Sequence, residues 1–326
     1  MISKSNMAQL IAITSQREEH AKEFASKWNL RLWYTDYLKM LEEADLDAVI
    51  ISTPHYLHYT IVMNAIKMSK HVLVDKPMAI NLKEADEMIN EARKKGVKLG
   101  VILQSRFDPI VRKVKEAVNA GKLGRLILGE AIVEWFRTQE YYNKSPWRGK
   151  WNTEGGGALI NQAIHTIDLL LWIFGQPKQL WAQVDTFVHN IEVEDLAIAA
   201  IRFENGALGI VQGSTAIYPG LPTRLEIHGT KGTIIIEGEM LKRWSVMMEK
   251  ETVVDNVKEG LKSWTQPELV PAINHALLIK DFTQAIIDDR EPYVNGVEGR
   301  RSIELIMAIY KSSKTNSIIN LPLRMP

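Results

Sequence analysis

Three polar residues interrupt the apolar stretch from residue 155 to residue 175, GGGALINQAIHTIDLLLWIFG. They are Asn161, His165 and Asp168. If this stretch is a helix that ends at Gly175, positions three and four apart lie on one face, so the three side chains form one polar stripe. Burying polar groups without hydrogen-bond partners costs free energy. The stripe therefore faces either a polar seam between two elements or a bound substrate.

Two further groups of polar residues follow short β-type runs in the N-terminal part of the chain. Lys76 comes directly after HVLVD and precedes Pro77. Thr53, Pro54 and His58 lie in STPHYLH, which follows DAVII. Ligands of parallel sheets bind beyond the carboxyl ends of the strands. Lys76 is therefore either a lysine of a cleft, where burial lowers its pKa, or a surface lysine in a turn.

Arginine and aromatic residues elsewhere in the chain offer further contacts for a substrate. Arg106 in QSRF and Arg148 in PWRG could each bind an anionic or hydroxylated substrate through two hydrogen bonds, or could belong to structural ion pairs. Four aromatic residues lie close together in sequence, namely Tyr141, Tyr142, Trp147 and Trp151. Their rings either form a stacking wall for a ring-shaped substrate or pack in a core or an interface.

We expect none of three other histidines, His55, His58 and His275, to bind a metal ion. His55 and His58 have the spacing of metal ligands, but no third ligand is in view, and we expect no metal site. His275 lies in an amphipathic helical segment. For this position a structural role is favoured over ligand binding.

Composition limits the classes of partner and chemistry. The chain has 326 residues, of which 46% are hydrophobic and 24% charged, which is typical of a soluble globular protein of two domains. The net charge of +1 favours neither nucleic acid nor an anionic membrane as a partner. The absence of cysteine excludes disulfides and thiol catalysis and fits a cytoplasmic protein. We see no signal-peptide pattern, and the apolar run 169–174 is far shorter than the roughly 20 residues that span a bilayer.

The first hundred residues alternate β-type runs with amphipathic helical segments. The β-type runs are QLIAITS (9–15), LRLW (30–33), DAVIIST (47–53), HVLVD (71–75) and VKLGVIL (97–103). Alternation at this spacing predicts an α/β domain with a doubly wound, Rossmann-like parallel sheet over residues 1–103. The segments STPHYLH and DKP then lie at the carboxyl ends of strands.

From about residue 125 the pattern changes to longer strands joined by hairpin turns. Examples are RLILGEAIVEWFRT, DLAIAAIRF and GTIIIEGEM, with turns predicted at Asn205-Gly206 and in HGTKG (228–232). We expect a second, α+β domain over residues 104–326, with a large and mostly antiparallel open sheet. The C-terminal helical segment GRRSIELIMAIYKSS could pack back on the first domain.

The beginning of the first domain departs from the pattern of dinucleotide-binding sheets. Such sheets begin with a strand, a glycine-rich turn and a helix that binds the pyrophosphate, but the sequence contains no G-x-G-x-x-G and only eight residues precede its first β-type run. We interpret QLIAITSQREEH as the second strand of such a unit. If the first strand is missing, its place in the sheet is empty and the strands on either side of that place have exposed edges. Either the domain lacks this unit or Met1 is an internal start of a longer chain.

The position that binds the ribose in such sheets is occupied by Ser15, which is followed by Gln16 and Arg17. Serine and arginine suit a 2′-phosphate better than a 2′-hydroxyl, which favours NADP over NAD. Alternatively, Arg17 only begins a solvent-exposed helix.

Three segments, STPHYLH, KHVLVDKP and GGGALINQAIHTIDLLLW, resemble the Gfo/Idh/MocA oxidoreductases in their order and spacing. The similarity extends from about residue 9 to the C-terminus and includes NGALGIVQGSTA and EIHGTKGTIIIEG. It implies an NAD(P)-dependent enzyme that oxidises or reduces a carbinol carbon, usually on a sugar, a cyclitol or a nucleotide sugar. It also implies a homodimer or homotetramer assembled through the large sheet.

The resemblance assigns roles to individual residues. Asp75-Lys76-Pro77 matches the Glu-Lys-Pro motif of the family, which places Lys76 between nicotinamide and substrate, and His165 matches the catalytic histidine. Asn161 stands where members commonly carry an acid, so no carboxylate supports His165 from that side. Hydride transfer requires a base for the hydroxyl proton and a cation near the developing alkoxide. We assign the first role to His165, since a histidine ordinarily titrates near neutral pH, and the second to Lys76, with Asn161 orienting the substrate.

The expected site thus combines cofactor and substrate contacts. The cofactor-binding residues are Ser15, Arg17, Thr53, Pro54, His58 and Lys76. The substrate-binding residues are Arg106, Tyr142, Trp147, Arg148, Asn161 and His165. Asp168 either fixes the tautomer of His165 or satisfies hydrogen bonds on the side of the helix that faces away from the substrate. The rival interpretation is a non-catalytic relative or truncated gene product that binds a ligand or assembles without using a cofactor.

Overall fold

The computed structural model describes residues 7–249, 251–253 and 272–323, so the position of Met1 lies outside the described residues. Strands and helices alternate through the first hundred residues, because each β-type run is followed by apolar residues at helical spacing. The elements are β1 (Ala12–Thr14), α1 (Glu18–Lys27), β2 (Leu32–Tyr34), α2 (Tyr37–Glu43), β3 (Ala48–Ile51), α3 (His55–Lys67), β4 (His71–Asp75), α4 (Leu82–Lys95) and β5 (Leu99–Ile102).

The strands of this domain form two parallel sheets. β1 pairs with β2, and β3, β4 and β5 pair in that order. Within the described residues, no ladder of hydrogen bonds joins β1 to β3. Ile51 of β3 is in register with Val74 of β4, so the carboxyl ends of these two strands lie side by side. Their ends carry the segments with Thr53 and Lys76 to the same edge of the sheet.

A 3-10 turn (Gln104–Phe107) and α5 (Pro109–Asn119) lead into the second part of the chain. Its strands are β6 (Leu126–Glu134), β7 (Pro177–Asp185), β8 (Leu196–Phe203), β9 (Leu208–Ser214), β10 (Arg224–Gly229), β11 (Gly232–Glu237), β12 (Met240–Val246), β13 (Thr252–Val253) and β14 (Ile319–Asn320). They form one sheet in the order β13-β12-β11-β10-β6-β9-β8-β7-β14. Every neighbouring pair is antiparallel except β6 and β9, as the prediction of a mostly antiparallel sheet requires.

Both predicted hairpin turns are present. Asn205-Gly206 joins β8 to β9, and Asn205 Oδ1 accepts a hydrogen bond from the backbone nitrogen of Ala207 at 2.9 Å. Gly206 has a φ of +86°, a left-handed conformation that favours glycine. The second turn, in HGTKG, joins β10 to β11.

Helices α6 (Gln139–Asn143), α7 (Ile164–Phe174), α8 (Ile273–Ile287) and α9 (Gly296–Thr315) complete the described part of the chain. α7 packs on one face of the large sheet, where a side chain at Gly129 of β6 would collide with Phe174. α9 packs beside it, and its Ser312 accepts a hydrogen bond from the backbone nitrogen of Ala182 in β7 at 3.0 Å. The opposite face of the sheet carries no helix among these residues.

α9 also contacts the first domain. Arg300 donates to Asp86 of α4, at 2.5 Å from Nε and 3.2 Å from Nη2, and Gly299 lies against Val101 of β5. One helix therefore packs on both the large sheet and the three-stranded sheet.

The helix predicted to run from the glycines to Gly175 has an irregular start. Leu159–Ala163 form a π-helical turn, and regular α-helix begins only at Ile164. A π-helical turn joins residues five apart by hydrogen bonds, where an α-helical turn joins residues four apart. Such turns are frequent at functional sites. The helical spacing that we assumed between Asn161 and His165 therefore does not hold across this turn.

The carboxylate of Glu194 holds this irregular start in place. It accepts hydrogen bonds from the backbone nitrogens of Gly157 and Leu159, each at 2.9 Å. A side chain at Gly157 would lie 1.9 Å from the backbone oxygen of Glu194, so only glycine fits there. The glycine run thus permits a close approach of two backbones.

The described ranges contain no helix long and apolar enough to cross a membrane. They also contain no group of three or more histidine, aspartate or glutamate side chains arranged to hold a metal ion.

Candidate active site

The two domains meet where β4 ends and the π-helical turn begins. Lys76 donates hydrogen bonds from Nζ to the backbone oxygen of Asn161 at 2.5 Å and to its side-chain Oδ1 at 3.0 Å. These two residues, selected separately from the sequence, are 85 positions apart. The packing of one domain on the other therefore creates the contact.

The environment of Lys76 favours loss of its proton. Burial lowers the pKa of Lys76, while the negative charges of Asp75 and Glu154 raise it and the positive charge of Arg148 lowers it again. With a lowered pKa, a lysine can stabilise a developing alkoxide as a cation and can also exchange a proton nearer neutral pH.

His165 lies in the first turn of α7, and its Nδ1 has no hydrogen-bond partner among the described residues. Burial lowers the pKa of His165 to about 3, and the positive charges of Lys76 and His275 act in the same direction. The imidazole is therefore neutral at physiological pH, and its buried Nδ1 has unused hydrogen-bonding capacity among the described residues. Our assumption that His165 titrates near neutral pH, as an exposed histidine does, needs this correction because the ring is buried beside a cation.

Glu154 is a member of this cluster that sequence reasoning missed. Its Oε1 accepts a hydrogen bond from Asn161 Nδ2 at 2.5 Å, and its Oε2 accepts one from the backbone nitrogen of Gly149 at 2.5 Å. The only signal in the sequence is its place directly before the glycine run. Glu154 supplies the carboxylate that position 161 lacks.

Residues 145–154 form a loop of the second domain that docks on the start of α3. The backbone oxygen of Thr153 accepts a hydrogen bond from the Tyr56 nitrogen at 3.2 Å. The backbone oxygen of Glu154 accepts one from His55 Nδ1 at 2.9 Å. The Trp147 ring lies 4.7 Å from the ring of His55, measured between centroids. This loop, which we call the docking loop, closes one side of the group formed by Lys76, Glu154, Asn161 and His165.

Arg148 of the docking loop is held by aromatic rings. Its guanidinium lies 4.2 Å from the centroid of the Tyr141 ring and 5.2 Å from that of Trp147. Its Nη1 donates to Ser145 Oγ at 3.0 Å, and its Nε is buried without a partner among the described residues. None of the ion pairs between described residues involves Arg148. A guanidinium in this setting can bind an anionic or hydroxylated group.

Of the other two aromatic residues, Tyr142 packs within the protein and Trp151 is 43% exposed. Tyr142 is buried, its hydroxyl is 2.8 Å from Thr215 Oγ1, and its ring lies 4.9 Å from that of His189. The Trp151 ring packs edge-on against Tyr310 at 5.0 Å. The packing interpretation that we left open describes the buried Tyr142, whereas both interpretations stay open for Trp151.

Arg106 and Asp168 form a buried ion pair, the alternative that we left open for Arg106. Arg106 Nε donates to Asp168 Oδ2 at 2.8 Å and Nη2 to Oδ1 at 2.6 Å. Its Nη1 donates to Glu298 Oε2 at 2.6 Å. Because both side chains of the pair are 1% exposed, we expect Arg106 to hold α7 in place rather than to contact a substrate. The carboxylate of Asp168 is engaged by Arg106, which disfavours the first of its two predicted roles, fixing the tautomer of His165.

The end of β3 contributes Thr53, Pro54 and His58. Thr53 Oγ1 is buried without a partner among the described residues, and Pro54 precedes the first residue of α3. His58 is fully buried, with Nδ1 at 2.8 Å from the Pro77 oxygen and Nε2 at 2.7 Å from the Thr53 oxygen. Both ring nitrogens of His58 are thus engaged, so we expect it to join the two strand-end segments rather than to contact a ligand.

Ser15 and Arg17 lie at the carboxyl end of β1. Ser15 Oγ accepts a hydrogen bond from the backbone nitrogen of Arg17 at 3.3 Å, and the Arg17 side chain is exposed. No side chain caps the start of α1. The two residues are therefore open to solvent, as either interpretation of Arg17 requires.

Two family models match the chain. One, described as an oxidoreductase family with an NAD-binding Rossmann fold, matches residues 1–103. The other, described as the GFO/IDH/MocA C-terminal domain, matches residues 111–235. Together they cover most of both predicted domains.

Curated relatives and solved structures match over nearly the whole chain. Myo-inositol 2-dehydrogenase of Thermotoga maritima is 26% identical over 317 residues, which cover 96% of this chain and 91% of that enzyme. 1,5-Anhydro-D-fructose reductase of Ensifer adhaerens is 26% identical, with 94% and 89% covered. The structure of the WlbA dehydrogenase from Bordetella pertussis in complex with NADH and UDP-GlcNAcA is 30% identical, has a TM-score of 0.85, and matches over 97% of this chain and 92% of that one.

Proposed function

The chain belongs to the Gfo/Idh/MocA family of oxidoreductases, and on this premise we propose the reaction that it catalyses and the residues that carry it. It is an oxidoreductase that depends on a nicotinamide dinucleotide and transfers hydride between nicotinamide and a carbinol carbon of a sugar, a cyclitol or a sugar derivative. The observation that supports this assignment best is the contact of Lys76 with Asn161 beside the unbonded Nδ1 of His165.

The residues at the ends of β3 and β4 fit the nicotinamide end of the cofactor. Thr53 Oγ1 is a buried hydroxyl that has no partner within the described residues, which is the kind of group that a bound amide satisfies. Thr53, Pro54 and Lys76 would hold this end, and the cofactor would accept or supply the hydride. For the adenosine end, Ser15 and Arg17 are the candidate contacts.

Proton transfer belongs to Lys76 in this proposal. Because the pKa of His165 is lowered to about 3, its neutral ring is a weak proton acceptor but a good hydrogen-bond partner for a substrate hydroxyl. Lys76, whose pKa burial lowers from 10.5, takes the hydroxyl proton or returns it, and as a cation it stabilises the alkoxide. Asn161 orients the hydroxyl between them.

Arg148 and Trp147 are the substrate contacts that we favour among the predicted ones. The stacked guanidinium of Arg148 retains free donors, and the Trp147 ring lies at the contact between the docking loop and α3. Arg106 and Tyr142 then support the site from behind. The WlbA dehydrogenase structure contains a sugar acid nucleotide, so acidic sugars belong in a substrate screen.

The preference between NAD and NADP depends on the loop after β1. Its residues Ser15 and Arg17 favour NADP, which we keep as a proposal, although none of the named relatives supports it. The absence of cysteine from the sequence favours a cytoplasmic location, which we propose as well.

The open face of the large sheet is our proposed interface for a homodimer or homotetramer. Four large apolar side chains are exposed there by 39–48%, and they are Trp181, Ile198, Leu208 and Ile210. Trp181 lies opposite Ala200, which lies opposite Ile210, so part of this patch forms one continuous row across three strands. Contiguous apolar patches on a sheet are typical of interfaces.

A fluorescence titration with NADH and NADPH tests the proposal first. We expect saturable binding of at least one of them, tighter for NADPH, and then turnover of a sugar, a cyclitol or a sugar acid. Lys76→Met should lower kcat by about 100- to 1000-fold, because it removes the charge at the alkoxide. Lys83→Met, at an exposed lysine of α4, is the matched control.

Two results would contradict the proposal. A folded chain that binds neither cofactor would favour the non-catalytic interpretation. Turnover that Lys76→Met leaves unchanged would show that Lys76 has no role in the chemistry.

A further inference from the structure

Glu154 has two hydrogen bonds that tie it to the active site. Its Oε1 accepts from Asn161 Nδ2 at 2.5 Å, and its Oε2 accepts from the Gly149 nitrogen in the docking loop at 2.5 Å. The residue is 1% exposed. The carboxyl group of Glu154 therefore contacts Asn161, the hydrogen-bond partner of Lys76. The reaction proposed above gives Glu154 no role.

The side-chain amide of Asn161 lies between two groups of opposite charge. Its Oδ1 accepts from Lys76 Nζ, and its Nδ2 donates to Glu154. If the amide were flipped, its NH₂ group would face the ammonium group and its oxygen would face the carboxylate, so both contacts would become repulsive. The negative charge of Glu154 therefore decides which amide atom faces Lys76.

We propose that Glu154 is a positioning residue of this site, an inference that rests on the proposed function. Its carboxylate orients the Asn161 amide, and the oriented amide holds the ammonium group of Lys76. Where family members commonly carry an acid at the position of Asn161, this chain uses an asparagine backed by a glutamate. Because Glu154 also accepts from Gly149, the same side chain couples the docking loop to the lysine.

Charged and titratable groups surround Glu154 from both domains. They are Lys76 at the end of β4, His55 of α3, Arg148 of the docking loop, Tyr141 and Tyr142 of α6, and Tyr310 of α9. Burial raises the pKa of Glu154 to about 7, while its two hydrogen bonds and the charges of Arg148 and Lys76 act in the opposite direction. The carboxylate that orients Asn161 is thus lost as the pH falls through about 7, and kcat should fall with it.

Glu154→Gln tests this role, because a glutamine side chain has only one acceptor oxygen for the two donors. We expect kcat to fall by roughly 10- to 100-fold through misplacement of Lys76, with unchanged affinity for the nicotinamide cofactor. In the direction of carbonyl reduction, where the protonated Lys76 returns the proton, the decline of kcat below pH 7 should disappear in this variant. Glu154→Asp keeps the charge and should retain more activity than Glu154→Gln.

Glu192→Gln is the matched control. Glu192 is an exposed carboxylate that accepts a hydrogen bond from the Trp151 nitrogen of the docking loop at 3.2 Å and does not contact Asn161 through a hydrogen bond. We expect wild-type kcat and a wild-type pH profile for this variant. An equal effect of both substitutions would mean that a carboxylate bonded to the docking loop acts only through folding, which would overturn the proposal.

The Lys76 pKa provides a measurement that needs no substrate. In protein labelled with ¹³C at lysine Cε, with the signal assigned through Lys76→Met, Glu154→Gln should lower the Lys76 pKa and Glu192→Gln should not, because the first loses both a negative charge and an oriented acceptor. An unchanged Lys76 titration in Glu154→Gln would refute the positioning role. A wild-type protein that turns over no substrate would refute the proposed function instead, and the titration would still decide the role of Glu154.

Discussion

Burial separates the chemistry of Lys76 from that of His165. Both pKa values are lowered by burial, and the charge of Lys76 lowers that of His165 further. Two cations in one buried region would repel each other, so the protonated lysine keeps the imidazole neutral. A residue type chosen for its titration near neutral pH thus serves as a hydrogen-bonding group, and the lysine becomes the titrating one.

The neutral state of His165 predicts how stability depends on pH. Because its pKa in the folded chain, about 3, lies below the unfolded value of 6.5, the contribution of His165 is fully present above pH 6.5 and is lost as the pH falls toward 3. Between pH 7.5 and pH 5 this group alone should cost the wild type about 2 kcal/mol of unfolding free energy. His165→Gln, which cannot titrate, should lack this loss in urea unfolding at the two pH values. His20→Gln, at an exposed histidine of α1, serves as control, and equal losses in both variants would contradict the prediction.

At the level of elements, the Arg106 guanidinium joins the 3-10 turn to α7 and α9. Its partners, Asp168 and Glu298, lie 62 and 192 positions away. Desolvating three charged groups is unfavourable unless each is paired, and here the hydrogen bonds pair all of them. The ion pair therefore fixes how α7, and with it the π-helical turn, sits against the 3-10 turn and α9.

Removal of this arginine should destabilise the chain strongly. Arg106→Met leaves the buried carboxylate of Asp168 without its partner, and we expect a loss of about 3–5 kcal/mol in the free energy of unfolding. Arg290→Met breaks a pair with Asp281 at a side chain that is 41% exposed and should cost about 1 kcal/mol or less. Urea unfolding followed by circular dichroism measures both. A loss for Arg106→Met as small as that for Arg290→Met would show that the ion pair does not hold these elements together.

At the scale of the whole molecule, the large sheet has one face covered by α7 and α9 and one face open. The covered face contains the core around Ile164, Leu170 and Phe203. The exposed row from Trp181 to Ile210 lies on the other face, which is our proposed interface with a second copy of the chain. We therefore expect assembly to depend on the residues of this row.

Ile210→Asp should disrupt the proposed assembly. The substitution places a carboxylate in the apolar row, beside Glu130 of the neighbouring strand, so association would bury unpaired negative charge. Size-exclusion chromatography with light scattering should show a dimer or tetramer for the wild type and a smaller species for the variant. Ile287→Asp, at the exposed end of α8, should leave the mass unchanged. A monomeric wild type, or an unchanged mass for Ile210→Asp, would rule this interface out.

Local patterns in the sequence determined the strands, helices and turns that carry the site. Hydrophobic periodicity and turn residues act over a few positions, which is why β4, α7 and the Asn205-Gly206 turn are readable from residues alone. They also placed Lys76 at a strand end and Asn161 and His165 near the glycine run. The strands β13 and β14 were not predicted, because each has only two residues and two residues show no hydrophobic periodicity.

Only the tertiary structure decided how these groups act. The contact of Lys76 with Asn161, the carboxylate of Glu154 behind it and the pairing of Arg106 with Asp168 join residues from different elements. Such contacts depend on how the two domains pack, and pKa values depend on the burial and charge that this packing creates. The sequence by itself therefore determined which residues could react, while the packing decided which of them is charged, which is neutral and which only holds the others in place.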